Sequence, residues 1–97
     1  METRIQAVHF DASQQLVEFV EKKVAKFEKL CEGATALDVN MKLIKPETAM
    51  NKEVSLRLLA GGGEMFASKV SDTFEDALLG AIDALKAQIE KKREKNR

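Results

Sequence analysis

His9 is the single histidine of this 97-residue chain and Cys31 its single cysteine. Neither has the company that chemistry requires. A general base or a metal ligand needs a second group in reach, and His9 has only Phe10 beside it at the end of a short apolar stretch. A lone cysteine can build neither an internal disulfide nor a zinc site, so Cys31 reads as a small hydrophobe. Ser13 has no base near it in sequence and is better used as a helix cap. Gly61, Gly62 and Gly63 precede a strand rather than a helix. They lack the helix N–H groups that cradle phosphate, and they read as a turn. Asp76, Asp83 and Glu90 are seven residues apart on one helix, about 10 Å between successive carboxylates, too far for two of them to share a small ion. They form a solvated acidic face. The residues therefore imply no catalytic set, no metal, no cofactor and no small-molecule substrate, and the chain is expected not to be an enzyme.

Charge carries more information through its distribution than through its sum. Lys+Arg and Asp+Glu are equal at sixteen each, so the net charge of zero gives no bulk argument for nucleic acid. On a helical wheel, however, Lys22, Lys26 and Lys29 fall on one flank of an apolar stripe, while Glu18, Glu21, Glu28 and Glu32 fall on the far side. Lys23 lies within the apolar arc and is expected to snorkel outward at the sheet margin. A second concentration ends the chain: Lys86, Lys91, Lys92, Arg93, Lys95 and Arg97, against Glu90 and Glu94. Lys42, Lys45, Lys52 and Arg57 add basic groups on or beside the middle strands. Lysine and arginine held on a rigid frame suit a phosphate backbone, because each contact displaces condensed counterions. The same lysines also serve solubility and complement helix dipoles.

The elements that position these groups follow from periodicity. Thr3–Val8 reads as a strand. Asp11 and Ser13 offer cap oxygens to a helix over 13–32, whose apolar face is Leu16, Phe19, Val20, Val24, Phe27 and Leu30, with Gly33 ending it. Leu37, Val39, Met41 and Leu43 alternate with polar residues in a second strand that Pro46 stops. Val54, Leu56 and Leu58 form a third strand and Met65 and Ala67 a fourth, joined through the three glycines. Asp72 or Thr73 caps a last helix with the face Phe74, Leu78, Ile82, Leu85 and Ile89. It is expected to run to about Lys92 and fray through a basic tail at 91–97. The result is an α+β domain of order β-α-β-β-β-α spanning residues 1–97: a four-stranded mixed sheet, its first two strands parallel, with two helices on one face. Apolar residues at 44% and charged residues at 33% suit one globular core. The N-terminus lacks the apolar run of a signal peptide, and no stretch approaches the roughly 20 apolar residues of a membrane span. The expected location is the cytoplasm, with no membrane partner.

Several strings, in this order, resemble the hibernation promoting factor and protein Y family of ribosome-associated inhibitors. They are LVEFVEKKVAKFEKL (Leu16–Leu30), VNMKLIKP with Lys42 and Lys45, GGEMFAS (Gly62–Ser68), and DTFEDAL followed by IDAL, Gln88, Lys91, Arg93 and Lys95. The resemblance runs almost end to end. It implies the same β-α-β-β-β-α fold, similar to a double-stranded-RNA-binding domain with an extra strand. It also implies a factor that binds the small ribosomal subunit in the mRNA and tRNA channel, contacts rRNA, and silences idle ribosomes in stress or stationary phase. Carried onto this chain, the contacts fall on Lys22, Lys23, Lys26, Lys42 and Lys45, and on the tail from Lys86 with Lys91, Lys92, Arg93 and Lys95; the charge pattern of the helix flank adds Lys29. They would be phosphate contacts, with specificity from shape. The chain departs from the family where Ala84 and Ala87 stand at positions that are usually basic. The alternative reading is a protein–protein module using the open sheet face, where alternation places Ile44, Leu59 and Phe66.

Overall fold

Alternation in the middle of the chain becomes sheet register. The computed structural model describes residues 1–31, 33–45, 47–61 and 63–95, the last three by backbone only. Its elements are β1 (Glu2–Val8), α1 (Gln14–Glu28), β2 (Ala34–Leu43), β3 (Lys52–Ala60), β4 (Gly63–Ser71) and α2 (Phe74–Lys95), the order expected from the sequence. The sheet order is β1-β2-β3-β4. β1 runs parallel to β2, pairing Thr3 with Leu37, Ile5 with Val39 and Ala7 with Met41. The other two pairings are antiparallel, and Val39, Leu56 and Ala67 lie abreast across three strands.

Period two sends Leu37, Val39, Met41, Val54, Leu56, Leu58 and Ala67 to one side, and all seven are buried. Leu43 and Met65, expected on the same side, are half-buried against that core. Both helices cover this face. Ser13 caps α1, its hydroxyl oxygen accepting from the Leu16 N–H at 3.1 Å. Thr73 caps α2 in the same way, its Oγ1 accepting from the Asp76 N–H at 3.1 Å. Asp72, the other candidate cap, instead accepts the Met50 N–H at 2.8 Å and ties down the loop after β2. The rings of Phe10 and Phe74 stack with centroids 4.3 Å apart, joining the entry of α1 to the start of α2.

Two helix limits differ from the expected ones. α1 ends with Lys29 as its cap residue rather than near residue 32. Tight i→i+3 bonds follow, Leu30 N–H to Phe27 O and Cys31 N–H to Glu28 O. They turn Leu30 outward, to 44% exposure, and Cys31 inward, so Cys31 takes the core place expected of Leu30. Gly33, with φ +79°, makes the left-handed entry to β2 instead of ending the helix. α2 continues to Lys95, past the expected end near Lys92. Ala77 and Ala81 are fully buried and let α2 lie close to the sheet. At Gly80 a Cβ would sit 2.9 Å from Lys69 Cγ, so glycine is what admits the β4 lysine stem against the helix. Among the described residues, no helix is long and apolar enough to cross a membrane.

Candidate nucleic-acid interface

α1 presents two unlike flanks, and the fold assigns each a different neighbour. Its buried line is Leu16, Val20, Val24 and Phe27. On one side of that line Glu21, Ala25 and Glu28 adjoin β1, where they share a depression with Thr3 and Ile5. The Met1 α-amino group donates to Glu28 Oε1 at 3.0 Å on the same side. On the other side Phe19, Lys23, Lys26 and Leu30 follow one another at helical spacing toward α2. Leu30 there shares a hollow with Lys86, Ile89 and Glu90.

Lys23 and Lys26 therefore border the groove between the two helices, while Lys22 shares a surface depression with Glu18, Phe19 and Glu21. Lys23 does not reach out at the sheet margin. It is half-buried on the α2 side, with Nζ 5.5 Å from the centroid of the Phe19 ring. Lys22, Lys26 and Lys29 are exposed. From α2, half-buried Lys86 faces the same groove and Lys92 reaches the hollow beside Leu30 and Cys31, while exposed Lys91 lies on the other flank of α2, the one that Gln88 and Gly80 turn toward β4. Arg93 and Lys95 occupy the last turns of that helix. Among the described residues no ion pair uses Lys22, Lys23, Lys26, Lys29, Lys86, Lys91 or Lys92. Their charge is available to an external anion. Asp76 and Asp83 are exposed on α2, and Glu90 lies within the groove beside Lys86 and Leu30, so the basic surface there is interrupted by a carboxylate.

The structure does not bring Lys42 and Lys45 into this cluster. Lys42 lies opposite Glu53 on the open side of the sheet. Lys45 lies beyond the end of β2, in a loop held by its own carbonyl, which accepts from Asn51 Nδ2 at 2.8 Å and from Thr48 Oγ1 at 3.1 Å. β2 begins beside the C-terminal end of α1 and extends ten residues away from it, about 30 Å. The expected contacts thus split into a cluster at the C-terminal ends of the helices and a pair at the far end of the sheet.

The open face, the alternative site, also carries Arg4 and Asp38, which the sequence does not mark out. Arg4, Asp38, Arg57 and Phe66 lie abreast across the four strands. Arg57 Nε is 2.9 Å from Glu64 Oε2, and Phe66 is 55% exposed. Leu59 is half-buried on this face, and Ile44 is exposed just past the end of β2. Lys69, also not singled out, lies on the helix side of β4 against Gly80. Its alternation with Ala67 was the available signal.

This architecture is similar to solved structures across nearly its whole length. A ribosomal subunit interface protein from Coxiella burnetii superposes with a TM-score of 0.84 at 18% identity, covering 97% of this chain and 99% of that one. The N-terminal domain of Protein Y from Thermus thermophilus superposes with a TM-score of 0.76 at 17% identity, covering 94% and 98%. No curated protein matches the chain by sequence. Residues 3–97 match the family described as Sigma 54 modulation protein / S30EA ribosomal protein, and with that span matched the chain belongs to this family.

Proposed function

We propose that this chain is a ribosome hibernation factor that works in the cytoplasm. It docks on the small ribosomal subunit in the channel used by mRNA and tRNA, and so silences idle ribosomes. The observation that supports this most directly is the one-sided basic flank of α1 beside the C-terminal half of α2. Lys22, Lys23, Lys26 and Lys29 of α1, with Lys86, Lys91 and Lys92 of α2, supply cations on the helical layer of a member of a ribosome-associated family. Arg93 and Lys95 add cations in the last turns of α2, and Lys42 and Lys45 make a second contact at the other end of β2. Contact is to phosphate and read by shape, because the groups are cations fixed on helices rather than base-reading amides in a groove.

Co-sedimentation with purified small subunits across a salt series tests this reading. Binding should weaken steeply as salt rises. Binding indifferent to salt would favour a protein–protein contact through the exposed Phe66 on the open sheet face, the one observation that supports the alternative.

The end of α2 gives a separate expectation. A chain stopped after Glu90 should fold, because half-buried Ile89 is retained and exposed Lys91 and Lys92 add little to the core. It loses Lys91, Lys92, Arg93, Lys95 and Arg97 against Glu94. Subunit affinity should fall about tenfold or more at low salt. Unchanged affinity with an unchanged melting curve would mean that the basic end serves only solubility.

A further inference from the structure

The two edges of the sheet are finished differently. The outer edge of β4 lies under α2, where Gln88 Nε2 donates to the Phe66 carbonyl at 2.8 Å and Lys69 packs against Gly80. β1, the opposite edge, pairs only with β2. Among the described residues, nothing bonds to its outer side. Every second residue of such a strand offers an N–H and a C=O that another strand can take up.

α1 also stands back from this edge. Thr3 and Ala7, on the helix side of β1, are exposed, and Ile5 is only half-buried. They leave a depression of about 180 Å³ floored by Ile5 and Val24 and rimmed by Glu21 and Glu28. Glu28 already holds the Met1 amine, whereas Glu21 has no ion-pair partner among the described residues.

We propose that the β1 edge is a docking site for an extended basic segment of a partner protein. The segment adds a fifth strand beside β1 and sets lysine or arginine at alternate positions under α1. The backbone supplies the ladder bonds. The side chains on the helix side need an apolar stem to cover Ile5 and a cation to reach Glu21, and lysine and arginine carry both. The same surface argues against the other occupants. Nucleic acid meets an acidic rim. A second copy of β1 would bring Thr3, Ile5 and Ala7 to that side, with no cation among them. The site meets the ribosome-binding set only where Glu21 adjoins Lys22, so the shift changes at Thr3–Ala7 and Val24 distinguish it from that surface.

The test is an NMR titration of the labelled full chain with a blocked nine-residue peptide alternating lysine and threonine. A peptide alternating lysine and proline is the control, keeping the charge but unable to pair as a strand. Shift changes and slowed amide exchange should appear in Thr3–Ala7 and along Glu21, Val24 and Glu28. The lysine–proline peptide should bind about tenfold more weakly, and Glu21→Lys should weaken the lysine–threonine peptide about fivefold with an unchanged melting curve. Equal binding of both peptides, changes confined to other surfaces, or no binding at millimolar peptide would each overturn the proposal. So would protein dimers forming through β1 without peptide.

Discussion

Changing Lys22, Lys26 and Lys29 together to Gln will reduce affinity for the small ribosomal subunit on the order of 100-fold at about 0.1 M salt, while leaving the protein folded. All three side chains are exposed, and no ion pair among the described residues uses them. The cost to stability is therefore small, about 1 kcal/mol or less in total, part of it from losing the Lys26 charge in the last turn of α1. Lys23 is left in place because its stem is half-buried and its ammonium lies over Phe19, so altering it would mix packing with charge. The affinity loss arises because each phosphate contact releases condensed counterions. Losing three contacts should flatten the plot of log affinity against log salt by about 2 to 3 units. Co-sedimentation of the variant and the parent across a salt series measures both quantities, with a melting curve as the control for folding. A folded variant with the parent's affinity and slope would remove the helix-layer docking surface and move attention to Phe66 and its neighbours.

The largest effect on stability is expected at Leu56. Its side chain is fully buried at the centre of the sheet, between Val39 on β2 and Ala67 on β4. Leu56→Ala removes buried methyl groups and leaves a cavity that strands on both sides keep from collapsing. The cost should be about 2–5 kcal/mol. For a domain of this size that lowers the melting temperature by roughly 10 °C or more. Its chain neighbour Ser55 faces the opposite side, so Ser55→Ala should change stability by less than about 0.5 kcal/mol. Chemical denaturation of the two variants reads the register directly. A loss below about 0.5 kcal/mol at Leu56 would mean that the alternation of β3 points the other way.

The middle of the chain was legible because sheet register is a local property of sequence. Alternation from Leu37 to Leu43 and from Val54 to Leu58 contains the face assignment, and the two hydroxyl residues Ser13 and Thr73 announce where helices begin. The end of α1 was less legible. Leu30 keeps the helical period of Leu16 and Phe27, and nothing local says that the chain tightens two residues earlier and seats Cys31 in its place. Ala77 and Ala81 were passed over as core for a similar reason. Their size shows as an asset only once α2 is known to press close on the sheet.

The sequence by itself determined which residues share a face: the inward side of each strand, the apolar line of each helix, and the separation of lysines from glutamates on α1. Periodicity about a local axis is enough for that. Only the tertiary structure decided what each flank meets. The glutamate flank of α1 overhangs the free β1 edge and the lysine flank borders α2. Lys42 and Lys45, grouped with the other cations by charge, lie at the far end of β2. The physical reason is that a neighbour across a groove is chosen by sheet order and by the crossover between β1 and β2. These are long-range pairings whose partners are tens of residues apart, and no window along the chain contains them.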